Sequence, residues 1–193
     1  MSKVFTHMTM SLDGFIADLD DGIEDLFDWY GAGDVVVPSA SEDVSFTVDA
    51  ASAAMLRDLT EGVGAIVSGR RLFDITDGWG DNHPVGAPVV VVTHRTPEDA
   101  GRWPRTTFVG DVGTAIGRAK EIADGKDVTI ASANVAQQAV TLGLVDEVCV
   151  SLAPVLLGEG IPYFANLGAR VLLEDPVAVQ GRRALHLRYP VRR

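Results

Sequence analysis

The sequence predicts an α/β protein with a largely parallel sheet and antiparallel strands added at its edge. Two short segments rich in consecutive apolar residues, 65–67 and 88–93, are typical of strands that are covered on both faces. Helical and strand-like segments alternate from residue 50 to residue 142, and the segments after Asp146 are mainly strand-like. A length of 193 residues suits one hydrophobic core, so we expect a single domain over residues 1–193.

The first quarter of the chain predicts one strand, a loop and an irregular segment. Residues 4–10 form the strand, and the Asp-Gly pair at 13–14 predicts a turn or loop that residues 18–22 prolong. Apolar residues at helical spacing predict a short helix over 23–30. The glycines and proline that follow predict an irregular insert over 31–47, which is either a lid over a site or a surface excursion.

The rest of the chain gives a regular series of elements. Asp49 is expected to cap a helix over 50–61, and another helix is expected to start at Asp111 and to end near residue 123. The remaining predictions are a helix over 134–142 and strands over 65–67, 88–93, 128–131, 148–153, 169–173, 177–180 and 184–189.

Composition and charge exclude several classes of partner. Apolar residues make up 47% of the chain and the formal net charge is -11, so the long-range field repels nucleic acids and anionic membranes. The basic residues near 181–189 alternate with apolar residues, which is typical of a solvated strand face. The N-terminal residues lack a secretion signal, and the single Cys149 lies in an apolar run, so we expect a cytoplasmic protein.

Three predicted strand ends carry candidate phosphate-binding residues. They are Ser68-Gly-Arg-Arg71, Thr93-His-Arg95 and Ala131-Ser-Ala133. Ligands of open α/β sheets bind beyond the carboxyl ends of the strands, where helix starts and guanidinium groups attract phosphate. The basic residues at 94–95 suit the extra phosphate of NADPH better than the hydroxyl of NADH. Each segment taken alone is also common as plain structure, and their shared position favours a nucleotide.

Other chemistries find less support in the sequence. Neither Gly-x-x-x-x-Gly-Lys-Ser/Thr nor Gly-x-Gly-x-x-Gly occurs, and no Gly-x-Ser-x-Gly elbow predicts a serine nucleophile. The four histidines are scattered and only one cysteine is present, so we expect no metal site. His7 on the first strand is interpreted as a packed or edge histidine.

Motifs in order along almost the whole chain resemble the dihydrofolate reductase-like superfamily. The resemblance is to the C-terminal reductase domain of the bifunctional riboflavin biosynthesis deaminase-reductase. The matching segments are SLDGFIA at 11–17, SGRRLFD at 68–74, 89–95, 130–138, GLVDEV at 143–148, PVLLGEG at 154–160 and PYF at 162–164. The resemblance implies a twisted, mostly parallel mixed sheet of about eight strands flanked by helices, NADPH as cofactor and a homodimer. The dimer is expected to form through the strands around 148–153 and 171–173.

The resemblance also assigns roles to individual residues. It places the adenosine side of NADPH at Ser68, Gly69, Arg70 and Arg71, and the 2'-phosphate at Thr93, His94 and Arg95. It places the pyrophosphate and nicotinamide ribose at Ala131, Ser132, Ala133, Asn134, Val135 and Ala136, and the nicotinamide under Ile16 and Ala17. Asp13 would face the substrate and serve as catalytic residue, or bond its own backbone as a turn aspartate. The substrate pocket is expected at Ser11, Asp49, Leu157, Gly158 and Gly160.

Two departures from the family pattern bear on activity. The family places consecutive glycines, joined by a cis peptide in dihydrofolate reductases, where this chain has Ala131-Ser132-Ala133. A non-proline cis bond costs about 2.5–4 kcal/mol and a positive φ about 1–2 kcal/mol, so the loop keeps a strained geometry or adopts an easier one. Ser132 can still donate to phosphate and Asn134 can cap the following helix. The pterin-holding carboxylate is also replaced by Ala53, with Asp49 one turn away, which argues against dihydrofolate as substrate.

The sequence leads to one function and two alternatives. The first is an NADPH-dependent reductase that transfers a hydride to a small, heterocyclic or ribosylamino-pyrimidine-like substrate, with the proton donated by Asp13 or by a water that it positions. The second is a nucleotide-binding or ligand-sensing protein of the same fold without turnover. The third is a dimerisation module with a vestigial site.

Overall fold

A computed structural model describes residues 2–42 and 44–192 and confirms the predicted fold class. An eight-stranded mixed sheet has the order β6-β5-β4-β7-β1-β8-β10-β9, and β2 and β3 form a separate hairpin. The strands are β1 Val4–Ser11, β2 Val35–Val37, β3 Phe46–Val48, β4 Val63–Gly69, β5 Val89–Val92, β6 Thr106–Val109, β7 Asp127–Ala131, β8 Glu147–Ala153, β9 Val177–Gln180 and β10 Leu185–Pro190.

The first six strands of this order run parallel, and the last two are antiparallel additions. Parallel pairing joins β6 to β5, β5 to β4, β4 to β7, β7 to β1 and β1 to β8. The strand β10 pairs antiparallel with both β8 and β9. The six parallel strands therefore bring their carboxyl ends, and the loops that follow them, to one edge of the sheet.

Helices cover both faces of the sheet. They are α1 Ala50–Gly62, α2 Arg70–Ile75, α3 Val112–Ala123 and α4 Ala133–Thr141. Alternate residues of β4 divide between two cores: Ala65 and Val67 pack with the α3 and α4 side chains, and Ile66 packs with Phe73 of α2. Because both faces of β4 and β5 are buried, successive residues of these strands are apolar and do not alternate with polar residues.

The predicted helix caps are confirmed. The Asp49 side chain accepts hydrogen bonds from the Ala51 and Ser52 amides at the start of α1. Asp111 accepts from the Thr114 amide at the start of α3. Each carboxylate satisfies amide groups that the first helical turn leaves without a backbone acceptor.

Several sequence-based element boundaries are wrong. The helix expected over 23–30 is two short 3-10 turns, Glu24–Leu26 and Asp28–Gly31. The insert over 31–47 contains the hairpin of β2 and β3, although its Asp43 lies outside the described residues. The segment 169–173 is irregular except for one bridge from Leu173 to Val191, and β6 was not predicted at all. These segments are three or four residues long, too short for a period to be read reliably.

The strand expected to supply a dimer edge is interior. Residues 148–153 belong to β8, which pairs with β1 on one side and with β10 on the other. The backbone groups of β8 are hydrogen-bonded to neighbouring strands on both sides, so β8 has no free edge for a partner strand. The edge strands of the described sheet are β6 and β9.

Among residues 2–42 and 44–192, every helix is too short or too polar to cross a bilayer.

A pair of glycine substitutions tests how closely β4 and α3 pack. A Cβ on Gly64 would lie 2.6 Å from the Ala123 carbonyl oxygen and 2.7 Å from the Ala123 Cα, whereas a Cβ on Gly117 would meet nothing within 4 Å. Gly64→Ala should lower the free energy of unfolding by about 1–3 kcal/mol because backbone must shift. Gly117→Ala, in the exposed face of α3, should raise it by about 0.5–1 kcal/mol. Urea denaturation of both variants measures the difference, and equal effects would contradict this packing.

Candidate functional site

Two loops at the carboxyl edge of the sheet are joined by backbone hydrogen bonds. The Leu12 amide donates to the Val155 carbonyl at 2.8 Å. The Ile16 amide donates to the Ile161 carbonyl, and the Ile161 amide donates to the Ala17 carbonyl, both at 2.9 Å. We call this arrangement of residues 11–17 against residues 155–163 the loop clamp. It brings the predicted nicotinamide and substrate segments together, as the sequence predicted.

Asp13 lies at the centre of the loop clamp. Its Oδ1 accepts from the Ser11 hydroxyl at 2.6 Å and from the Leu157 amide at 3.1 Å, and its Oδ2 accepts from the Gly158 amide at 2.7 Å. The Ser11 hydroxyl, followed by these two amides, lowers the pKa of Asp13 below its usual value. The carboxyl group is therefore ionised at neutral pH, which favours the second of its two predicted roles in proton transfer, that of a group that positions a water molecule.

Gly160 allows the two loops of the clamp to approach closely. A Cβ at this position would lie 2.2 Å from the Ala17 carbonyl oxygen, and its φ of +157° also favours glycine. The predicted substrate residues Leu157 and Gly158 donate their amides to Asp13, so those amides are not free for a ligand. Ile16 and Ala17 are buried in the clamp.

Asp49 is an anchor rather than a free substrate carboxylate. Besides capping α1, its Oδ2 accepts from the Ser52 hydroxyl and from the Arg182 amide, each at 2.7 Å. Burial would raise the pKa of Asp49, but the hydrogen bonds from Arg182, Ser52 and Ala51 outweigh it and lower the pKa to about 2. These hydrogen bonds join the start of α1 to the turn at Arg182, and the contact of Asp49 with substrate stays a prediction.

The three predicted cofactor segments lie side by side. In the sheet, Ser68 pairs with Ala131 and Gly69 pairs with Val92, so the ends of β4, β7 and β5 are neighbours. The Ser68 side chain itself is fully buried and donates to the Gly69 carbonyl at 3.3 Å. The Ser68 hydroxyl is therefore used within the protein, and a cofactor contact of Ser68, which stays a prediction, would have to be made by its backbone.

The loop between β7 and α4 keeps a strained backbone. Ser132 has a φ of +146°, a region that favours glycine, and the described residues contain no cis peptide bond. Its Oγ accepts a hydrogen bond from the Gly69 amide at 3.0 Å, and a Cβ on Gly69 would lie 3.1 Å from that oxygen. The Ser132 hydroxyl thus ties the loop to β4 and occupies the amide that was predicted to face phosphate.

The start of α4 carries no side-chain cap. Ala133 is its first residue, and no side chain accepts from the amides of its first turn. Asn134, which the sequence suggested as the cap, instead accepts from the Gln138 side chain at 2.6 Å, so that expectation is wrong. Uncapped amides and the helix dipole make a favourable position for an anion.

Arg70 joins the end of β4 to the end of β5. Its guanidinium donates to the Arg95 carbonyl at 2.9 Å and to Asp74 at 2.6 Å. The Thr93 hydroxyl donates to the same Arg95 carbonyl at 2.9 Å. His94 and Arg95 are exposed, and among the described residues the hydrogen bonds of Arg95 are made by its backbone and not by its guanidinium. Arg95 is therefore available to bind a phosphate, with Arg70 and Thr93 holding its backbone.

Arg71 is already paired with a carboxylate. Its Nε lies 3.0 Å from Asp21 Oδ1 and one terminal nitrogen lies 2.9 Å from Asp21 Oδ2. This bidentate contact fixes the 18–22 loop over α2. A phosphate at Arg71 would have to replace Asp21, so Arg71 is a weaker candidate for the cofactor than the sequence suggested.

A buried hydrogen-bonded chain on the substrate side was missed by sequence reasoning. It runs from Asp49 through Ser52, His186 and Ser151 to His7, with donor-acceptor distances between 2.7 and 3.1 Å. His186 is 5% exposed and faces α1, although the sequence suggested a solvated strand face. The available signal was the period-two spacing of polar residues on β1, which places His7 on one face of the sheet with Thr9 and Ser11.

A hollow of about 390 Å³ opens beside the loop clamp. It shares Leu12 with the clamp, but none of the predicted cofactor residues lines it. Its lining is otherwise formed by Leu152, Ala153, Pro154, Gln180, Arg183, Ala184 and Leu185. The candidate site is therefore defined by the residues at the strand ends and not by this hollow.

In the described part of the chain, no group of three or more His, Cys, Asp or Glu side chains is arranged to hold a metal ion.

The sheet order and the strand-end loops define a protein of the dihydrofolate reductase-like fold. The sequence profile of the RibD C-terminal domain matches residues 2–186. The chain belongs to the RibD C-terminal domain family. No curated protein matches the sequence.

Solved structures share the fold at low sequence identity. A protein of Shewanella sp. PV-4, named for riboflavin biosynthesis, is 23% identical with a TM-score of 0.73, and the match covers 100% of both chains. Acinetobacter baumannii RibD is 16% identical with a TM-score of 0.62, and this chain covers 59% of it. A pyrimidine reductase-like protein of Corynebacterium diphtheriae is 13% identical with a TM-score of 0.56; the match covers 100% of this chain and 92% of that one. At these identities the likeness shows the fold alone.

The Asp13 contacts predict which amides depend on one carboxylate. Asp13→Ala removes the acceptor for the Leu157 and Gly158 amides, so hydrogen exchange at both should accelerate by at least about tenfold, the equivalent of about 1.4 kcal/mol. The matched control is Asp124→Ala on the far side of the molecule, at the end of α3, which should leave these two amides unchanged. Unchanged protection in Asp13→Ala would contradict the role of Asp13 in the clamp.

The burial of His7 predicts a pH dependence of stability. Burial, followed by repulsion from His186 and Arg188, lowers the pKa of His7 from 6.5 to about 4. Between these two values the unfolded chain binds more protons than the folded chain, so stability falls as the pH falls from about 6.5 to about 4. The His7 contribution is about 2–3 kcal/mol after allowance for its partial exposure.

Denaturation with urea at pH 7, 5.5 and 4.5 measures this effect, with pH values chosen from the His7 window. His7→Gln should reduce the pH dependence relative to the wild type without abolishing it, because one of the buried histidines that take up a proton on unfolding is gone, while His83 and His186, whose pKa values burial also lowers, remain. His94→Gln, at an exposed position, should retain the wild-type slope. An unchanged slope in His7→Gln would show that His7 does not titrate in this window.

Proposed function

We propose that the protein is an NADPH-dependent reductase that transfers a hydride to a small, heterocyclic or ribosylamino-pyrimidine-like substrate. The observation that carries the proposal is the meeting of the β4, β5 and β7 ends beside the uncapped start of α4. Membership of the RibD C-terminal domain family supports a reductase. The name of the Corynebacterium structure, a pyrimidine reductase-like protein, supports a pyrimidine as the substrate class.

The residues at the strand ends fit the parts of NADPH. The α4 amides would hold the pyrophosphate, where Ala133 and its small neighbours allow close backbone approach. The exposed Arg95, with His94 and Thr93 beside it, would bind the 2'-phosphate, and the chain is otherwise strongly acidic. Ile16 and Ala17 would form the wall against the nicotinamide. The bound cofactor supplies the hydride; the chain supplies orientation and exclusion of water.

The proton that completes the reduction would come from water. The Asp13 carboxylate is ionised and holds the Leu157–Gly158 turn, so it can orient a water molecule but not release a proton of its own. A water bound there would lie beside the loop clamp, which keeps the second of the two roles that the sequence suggested for Asp13.

A nucleotide-binding protein without turnover is the second candidate, and two observations favour it. Asp21 already occupies Arg71, and Ser132 already occupies the Gly69 amide, so two predicted phosphate ligands are used internally. Turnover separates the candidates: oxidation of NADPH that depends on an added phosphoribosylamino-uracil supports the enzyme, and NADPH binding without such oxidation supports the binding protein.

We also propose that the protein forms a homodimer in the cytoplasm and takes a small molecule rather than a nucleic acid or membrane as its partner. The strand β9 is an edge strand, and its Val177 is 63% exposed. An exposed apolar edge of this kind is suited to pairing with a second copy.

The proposed cofactor site predicts that the protein prefers NADPH to NADH and that Arg95 determines this preference. Calorimetric titration should give micromolar binding of NADPH and much weaker binding of NADH, because only NADPH offers a phosphate to Arg95. Arg95→Ala should weaken NADPH binding by about 10- to 100-fold, the loss of one charge-assisted contact of about 1.5–3 kcal/mol, and leave NADH binding unchanged. Arg118→Ala, an exposed arginine of α3 paired with Glu121, is the matched control. Equal loss for both nucleotides would place the phosphate elsewhere, and binding of neither would reject the reductase.

A further inference from the structure

The buried chain from Asp49 to His7 has a fixed direction of hydrogen bonding. The ionised Asp49 can only accept, so the Ser52 hydroxyl donates to it at 2.7 Å. The single Ser52 proton is then used, and the Ser52 oxygen must accept from Nε2–H of His186 at 2.9 Å. Burial lowers the pKa of His186, so the ring is neutral and its Nδ1 is an acceptor. The hydrogen bonds from Asp49 through Ser52 thus set the tautomer of His186.

The hydrogen bonds between His186 and His7, which lies on β1, have a fixed direction for the same reason. Nδ1 of His186 accepts from the Ser151 hydroxyl at 2.8 Å, and the Ser151 oxygen then accepts from Nε2–H of His7 at 3.1 Å. His7 is also neutral at pH 7, since burial and the charges of His186 and Arg188 lower its pKa to about 4. The only ring position left unprotonated on His7 is Nδ1. Asp49 therefore sets the tautomer of an imidazole that lies four hydrogen bonds away.

Aromatic and polar groups pack around the hydrogen-bonded series from Asp49 to His7 and restrict the position of its side chains. Trp29 is almost fully buried and packs edge-on against His186 at a centroid distance of 5.0 Å. The Trp29 indole nitrogen donates to the Thr9 hydroxyl at 3.2 Å. The titratable or charged groups that face His7 from the neighbouring strands are Cys149 of β8 and His186 and Arg188 of β10. None of them donates to Nδ1 of His7 in the described structure.

His7 lies next to the proposed cofactor loop. Thr6 pairs with Ile130, so His7 is level with Ala131, the residue at which β7 ends and the loop begins. His7 is half-buried rather than enclosed, and its Nδ1 has no partner among the described residues. A substrate placed beside the nicotinamide would reach this nitrogen.

We propose that His7 is a specificity-determining residue whose Nδ1 accepts a hydrogen bond from an N–H or O–H group of the substrate. Ser151, His186, Ser52 and Asp49 are positioning residues that keep this nitrogen an acceptor. The site therefore selects a planar heterocycle with a donor at that point and rejects an analogue in which the donor is methylated. The inference rests on the proposed function for the location of the substrate.

The direction of the chain can be measured without cofactor or turnover. Long-range ¹H–¹⁵N spectra of the histidine rings at pH 7 should show His7 as the Nε2–H tautomer with an unprotonated Nδ1. Ser52→Ala cuts the link to Asp49 and should turn His186 and His7 into tautomer mixtures; Ser151→Ala should do so for His7 alone. Thr129→Val, which removes another buried hydroxyl from the neighbouring strand, should leave His7 unchanged. An Nδ1–H tautomer in the wild type, or a His7 spectrum that stays the same as in the wild type in both serine variants, would overturn the proposal.

Uracil and its N,N'-dimethyl derivative test the contact itself. Uracil carries N–H donors and should move the His7 Nδ1 resonance upfield, in the direction expected when an acceptor nitrogen receives a hydrogen bond. Dimethyluracil lacks these donors and should not move it. An equal response to both probes, or no response to uracil, would overturn the contact. Because these spectra need no NADPH, a failure here is distinct from a failure of the proposed reductase, which calorimetry with NADPH detects.

Discussion

Two ionised carboxylates hold together segments of the structure that are far apart in the sequence. Asp13 accepts from the turn at Leu157 and Gly158, and Asp49 accepts from the start of α1 and from the turn at Arg182. Each therefore joins segments that are more than 100 positions apart in the chain. Each carboxylate accepts hydrogen bonds from two separate segments at once, so the turns and the carboxylates stabilise each other. The loop clamp and the histidine chain both begin at one of these groups.

The proposed cofactor site depends on the backbone instead of on carboxylates. Parallel strands bring their loops to one edge of the sheet, and α4 begins there without a side-chain cap, so the proposed binding groups are backbone amides. Ser132 adopts a backbone conformation that glycine would adopt with less strain, and its hydroxyl compensates by accepting from Gly69. Arg95 provides positive charge in a chain whose net charge is -11, so the field that repels polyanions is reversed only locally.

The sequence predicted well what depends on local chemistry. Consecutive apolar residues at 65–67 and 88–93 identified strands that are buried on both faces, and Asp49 and Asp111 were identified as caps from their positions before helices. The segments that carry the candidate site residues were also identified correctly as strand ends. Their internal partners were not, because the pairs of Arg71 with Asp21 and of Gly69 with Ser132 join distant residues that no local pattern relates. His186 was misjudged because a strand that alternates polar and apolar residues looks half-exposed until the helix that covers it is known.

A crystal structure of the protein with NADPH tests the central claim most directly. The account predicts the pyrophosphate at the Ala133 amide, the 2'-phosphate within hydrogen-bond distance of Arg95, and the nicotinamide between Ala17 and the edge of the sheet near His7. A nucleotide bound elsewhere, or one whose 2'-phosphate makes no contact with Arg95, would contradict it.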